Sequence, residues 1–120
     1  MKTIFKNGNV IDGTGSEGRI ADVMVDEGRI VEIGQIEVGV NEQVIDAKGM
    51  IVAPGLIDTH VHFRDPGFTY KEDIETGAKA AAAGGFTTVM CMANTKPVID
   101  NVETLKYVLD KGKTTPINVY

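Results

Sequence analysis

At 120 residues, 42% apolar and 24% charged, the chain has the composition of an ordinary globular domain, which excludes a disordered or low-complexity segment. Seventeen acidic residues against twelve basic ones give a net charge of −5, and with no basic stripe nucleic acid is excluded as a partner. The longest uncharged run, Ala80–Thr95, is broken by Gly84-Gly85 and is too short and polar to span a bilayer, so no membrane association is expected.

Met1–Lys6 has no long apolar core and reads as ordinary chain rather than a signal peptide. The single cysteine, Cys91, has no partner for an internal disulfide. Both features predict a cytoplasmic protein.

Residues 1–53 read as short strands with tight turns. Ile4-Phe5 leads into Asn7-Gly8, a hairpin dipeptide, and Val10-Ile11 precedes the glycine-rich loop Asp12–Gly18. Asp22–Val25 and Arg29–Ile33 flank Asp26-Glu27-Gly28, a second hairpin signal. Gln43–Ala47 is a further strand, and Lys48-Gly49 turns the chain into Met50–Ala53. No group of reactive side chains stands out in this all-β part.

The next stretch carries the chemistry. Pro54–Gly67 reads P-G-L-I-D-T-H-V-H-F-R-D-P-G, a run of β-formers punctuated by Pro-Gly at both ends. Along a strand successive side chains alternate faces, so Asp58, His60, His62 and Arg64 are expected on one face and Ile57, Thr59, Val61 and Phe63 on the other. Two neutral imidazoles side by side suit a borderline metal such as zinc. The alternative is that they are ordinary polar residues of a half-buried strand. They are the only two histidines in the chain and stand just before a Pro-Gly turn, which favours the metal.

After Pro54 the pattern becomes strand–helix–strand–helix. Thr69-Tyr70-Lys71-Glu72 has capping-box spacing for a helix running to Ala83, with Ile74, Ala78, Ala81 and Ala82 towards a neighbour. Phe86–Met92 is a near-continuous apolar strand, the pattern of a parallel strand covered on both faces. Ala93–Pro97 is a loop. Asp100 or Asn101 caps a second helix with an apolar stripe of Val102, Leu105, Val108 and Leu109, and Ile117–Tyr120 begins a third strand. Arg64 and Asn94 also admit plain readings, as a surface ion-pair residue and a turn residue; Asp65 and Asp73 read as solvated or helix-end charges, and Cys91 as a buried hydrophobe.

Repeated strand–helix units with polar residues at strand ends are how a (β/α)8 barrel is built, and such a barrel takes about 250 residues. The expected fold class is therefore α/β. A small β-sandwich part over 1–53 precedes the first two units, and the start of strand three, of a TIM-type hydrolase barrel over 54–120. The chain then reads as a fragment of a longer protein, the rival being a complete small α/β protein.

The metal strand closely resembles that of the amidohydrolase superfamily. Together with Tyr70-Lys71-Glu72-Asp73-Ile74, A-A-A-G-G-F-T-T-V over Ala81–Val89, Asn94-Thr95 and Pro97, it looks like a dihydroorotase of the longer bacterial type. The resemblance runs over the whole chain; residues 1–53 resemble the small sandwich that such chains build from their two ends. It departs at Ala93, where many relatives have Pro, which lowers loop rigidity and touches no ligand.

The resemblance implies that His60 and His62 are ligands of the more buried of two zinc ions, that Arg64 grips the substrate carboxylate with help from Asn94, and that Asp58 orients an imidazole. It also implies a small-molecule substrate pair, N-carbamoyl-L-aspartate and dihydroorotate, interconverted with loss or gain of water in pyrimidine biosynthesis, and a dimer of the complete protein. The general base and the remaining ligands are expected outside these residues, so the 120-residue chain alone is expected to be inactive. Another cyclic-amide hydrolase, such as an allantoinase, hydantoinase or dihydropyrimidinase, and a non-catalytic amidohydrolase-like subunit are the alternatives.

Overall fold

In the computed structural model, which describes residues 1–120, the chain forms two units, Met1–Pro54 and Gly55–Tyr120. The first is one mixed sheet. Its strands are β1 (Thr3–Val10), β2 (Arg19–Asp26), β3 (Arg29–Gly34), β4 (Gln43–Asp46) and β5 (Ile51–Val52). β1 lies at the centre, antiparallel to β2 and parallel to both β4 and β5, and β3 completes the far side. Residues 1–54 thus supply a single sheet, one layer of the expected sandwich.

The β2–β3 hairpin forms at the expected place. Glu27 and Gly28 both have positive φ (47° and 75°), the geometry of a turn whose twist matches that of the strands. The expected turn at Asn7-Gly8 does not form. Those residues lie inside β1, which is paired on both sides, and Asn7 (φ 62°) is the extra residue of a bulge: Phe5 pairs with Val23 and Gly8 with Ala21. One inserted residue inverts the side-chain alternation. Hence Ile4 packs with Met24 and Ile36, whereas Phe5 and Val10 pack with Ala21, Val23, Val25 and Val52 on the opposite face. Asp22 holds the bulge. It is only 5% exposed, and its carboxylate accepts bonds from Asn7 N (2.8 Å), Ile36 N (2.9 Å) and Lys6 Nζ (2.6 Å), which keep its pKa down at about 2.

The second unit alternates β6 (Leu56–Val61), α1 (Ile74–Ala83), β7 (Phe86–Cys91), α2 (Val102–Gly112) and β8 (Asn118–Val119). The strands are parallel in the order β6-β7-β8, so each helix connects one strand to the next. The capping box sits at Asp73 and Thr76, not at Thr69 and Glu72; residues 69–71 form a turn, and the Glu72 side chain instead accepts from Asp73 N and the Thr76 hydroxyl. Of the two candidate caps of α2, Asn101 takes the position, accepting from Thr104 N at 2.9 Å.

Both helices contribute to one core, built on Phe63, Ile74, Ala78, Val89, Val108, Ile117 and Val119. Close approach is achieved by omitting side chains: a Cβ on Gly77 would stand 2.5 Å from the Phe63 ring, and one on Gly112 2.9 Å from Val119. Two expectations are not met within these residues. Val89 of β7 is buried in the core under the helices, whereas Met90 is 46% exposed. The buried side of α2 is Thr104, Val108 and Gly112, whereas Val102 and Leu105 of the predicted stripe are exposed.

Candidate metal and anion site

The site is assembled where β6 and β7 end. β6 stops at Val61, and Met92 N donates to Val61 O at 2.8 Å, so His62 and Asn94 leave their strands side by side. His60 and His62, both exposed, have ring centroids 5.2 Å apart in an edge-on arrangement. His62 Nδ1 lies 3.0 Å from Asn94 Oδ1. With the amide oxygen turned to the ring, Nδ1 carries the proton and Nε2 keeps the lone pair a metal would take.

Asp58 lies lower on β6. Its Oδ1 accepts from the backbone N of His60 at 2.9 Å, so it steadies the strand carrying the imidazoles rather than bonding a ring. Arg64 has left the strand pleat. Its φ is 63°, whereas Phe63, just before it, is buried and packs inward with Val61 in the core shared with α1 and β7. The pairing of β6 with β7 slips between Asp58 and Val61, so strict alternation is not kept along this strand: Val61 and Phe63 pack inward as expected, whereas Ile57, on the same predicted side, is 64% exposed. The Arg64 guanidinium makes no ion pair within the chain.

Two loops are locked together beneath these side chains. Lys96 N donates to Pro66 O at 3.1 Å, and Gly67 (φ 92°) sits so close to the other loop that a Cβ there would be 1.9 Å from Lys96 O. Thr95 Oγ1 closes its own loop on Pro97 O at 2.7 Å. The segment following Arg64 is thereby held against the segment following Asn94.

Asp65 departs furthest from expectation. Rather than a solvated charge, its side chain is fully buried. It accepts bonds from Lys111 Nζ, Tyr107 OH (2.9 Å) and, at 3.4 Å, Ile74 N at the start of α1. Tyr107 and Lys111 are one turn apart on α2, so they share a helix face. That i, i+4 pair was the signal available in the sequence. Cys91 is half-buried rather than fully buried, and desolvation raises its thiol to about 11, above the range in which a thiolate forms readily at neutral pH.

A catalytic zinc site takes at least three protein ligands. The two imidazoles fit as part of such a set, and no cluster of three metal-binding side chains exists in the chain. A groove of about 850 Å³ runs along α2 and β8 past Leu105, Leu109 and Ile117 and contains none of the site residues. No helix is long and apolar enough to cross a membrane.

Residues 49–120 match a family model described as dihydro-orotase-like. The chain is 59% identical over 119 residues to a dihydroorotase of Clostridium acetobutylicum and 56% identical over 117 residues to one of Clostridioides difficile. Each alignment covers 97% of this chain and 28% of the relative. In three dimensions it is similar to an L-hydantoinase (dihydropyrimidinase) from Arthrobacter aurescens, with a TM-score of 0.84 at 28% identity, over 98% of this chain and 26% of that one. The chain thus spans little more than a quarter of the length of the proteins it matches, and its sheets and two helices correspond to that part of an amidohydrolase.

Proposed function

The chain belongs to the dihydro-orotase-like family, and from that premise we propose that it is the N-terminal part of a dihydroorotase, which closes N-carbamoyl-L-aspartate to dihydroorotate and reopens it. The observation that carries the reading is an unpaired guanidinium, Arg64, on a loop locked to the one that bears Asn94, next to the His60–His62 pair. A substrate with a fixed carboxylate calls for such a group. Arg presents a planar fork that takes a carboxylate in two-point fashion. The Asn94 oxygen is committed to His62, which leaves its two N–H donors for the same anion.

His60 and His62 would hold one metal ion, zinc in this reading, and the further ligands, a second ion and the general base would come from the rest of the protein. When bound, the metal supplies a Lewis acid for the ring amide carbonyl and for water activation. The residues of this chain orient the substrate: Arg64 and Asn94 fix its carboxylate, and the His62–Asn94 bond sets that grip relative to the ligand imidazole. In this reading the surrounding strand–helix units are the first of a (β/α)8 barrel, a placement supported by parallel strands in sequential order with polar residues at their C-terminal ends. A dimer of the complete protein follows from the resemblance alone, and a cytoplasmic location is read from the single cysteine.

The likeness to a hydantoinase favours a second reading, a hydrolase of other cyclic amides. Arg64 discriminates, since an uncharged ring needs no cation. In the complete enzyme, Arg64→Met should raise KM for dihydroorotate at least tenfold with a smaller change in kcat. Unchanged kinetics would remove the argument for that substrate.

A further inference from the structure

Arg64 and Asp65 are adjacent in sequence and opposite in charge, yet they do not pair. A carboxylate beside a guanidinium is its strongest local competitor, because charge-assisted two-point bonds are among the strongest side-chain contacts. Here the competitor is fully engaged elsewhere. Asp65 is buried and bonded to Lys111 and Tyr107 on α2 and to the start of α1. Arg64 itself stands at φ 63° and its guanidinium joins no ion pair within the chain. Lys111 is itself held in place, with Nζ 3.4 Å from the Tyr107 hydroxyl and 5.6 Å from the centre of its ring.

We propose that Lys111 is a positioning residue: by neutralising and retaining Asp65 in the interior, it keeps the Arg64 guanidinium free for the carboxylate of the substrate. This rests on the substrate reading given above. Without the ammonium, Asp65 would be a buried charge lacking its counter-ion, a costly state. The carboxylate then relieves that state by turning outward, where the nearest cation along the chain is Arg64. Substrate and Asp65 compete for one guanidinium, so binding weakens while the reacting centre is untouched.

The test uses the complete enzyme that carries this segment. Lys111→Met should raise KM for dihydroorotate about tenfold, with kcat within about twofold of wild type. Lys111→Arg should restore KM. The decisive variant is D65N/K111M, which removes both charges and with them the competitor, so its KM should return close to wild type. A double variant as impaired as K111M would reduce Lys111 to a packing role and overturn the proposal, as would an unaltered KM in K111M.

The Arg64 side-chain Nε–H resonance, recorded without substrate, separates this proposal from the reading beneath it. It should shift in K111M and return in the double variant; a signal that stays put in K111M overturns the proposal whatever the kinetics. If the signal behaves as stated but Arg64→Met leaves KM unchanged, the assignment of the substrate has failed instead. Should K111M not fold, D65N alone decides: KM near wild type supports the proposal, and a KM raised as far as in Arg64→Met overturns it.

Discussion

Gly67→Ala is the substitution that strikes the site hardest for the smallest chemical change. Two costs follow from the geometry. At φ 92° a residue with a Cβ loses about 1–2 kcal/mol relative to glycine. The new methyl would also lie 1.9 Å from Lys96 O, a backbone atom that cannot rotate away, so the two loops must part. Parting them gives up the Lys96 N–Pro66 O bond, worth about 0.5–1.5 kcal/mol net. Together these come to about 1.5–3.5 kcal/mol, a large share of the roughly 5–15 kcal/mol that holds a domain folded. Gly85→Ala is the internal control, since its φ is 83° but nothing lies within 4 Å of the added carbon. Thermal unfolding followed by circular dichroism should show a drop of roughly 10 °C or more for Gly67→Ala and about half that for Gly85→Ala. In the complete enzyme only Gly67→Ala should raise KM, by about tenfold if half of the cost reaches substrate binding. Equal melting temperatures for the two variants would refute the loop-lock argument.

Other outcomes follow from single groups. Asp22 has its pKa depressed from 3.8 to about 2, so its bonds stabilise the first unit above pH 4 and are lost as pH falls towards 2. At 1.36 kcal/mol per unit this is worth about 2 kcal/mol. Urea unfolding between pH 5 and 2 should show that slope in the wild type and lose it in Asp22→Asn; parallel curves would contradict the assignment. Zinc titrated into the 120-residue chain should move the ring resonances of His60 and His62 before any others, with weak affinity, and produce no dihydroorotate hydrolysis. Turnover by the chain alone would refute the partial-site reading. Cys91, with its thiol raised from 9.0 to about 11, should react with iodoacetamide at pH 8 roughly a hundredfold more slowly folded than in urea; equal rates would show it to be accessible.

What could be read from the residues was whatever is local. Glu27-Gly28 announces its turn because both positions need positive φ, and His60, His62 and Asn94 stand out as polar residues at the ends of β-runs, where the fold brings His62 and Asn94 within hydrogen-bond distance. What escaped depends on partners distant in the chain. Asn7-Gly8 carries the same local signal as a hairpin, but its strand is paired on both sides and Asp22, over a dozen residues away, captures the bulge. Asp65 reads as a solvated or helix-end charge, and its bond to Ile74 N fits the second of these, but its burial escapes notice because Tyr107 and Lys111 lie more than forty residues beyond it. Val102 and Leu105 have helical apolar spacing but the core takes Thr104 and Val108, since Gly112 brings the helix onto β8 with that side down.

The contact between His62 and Asn94 also bears on how such a site can diverge. A lineage drifting towards a differently shaped ring would find position 94 a poor place to vary. A replacement there would also release the neighbouring imidazole, which in the proposed reading is a metal ligand. Position 64 touches no such partner, so selectivity can be rewritten there one residue at a time, and family members with new ring preferences should differ at 64 sooner than at 94.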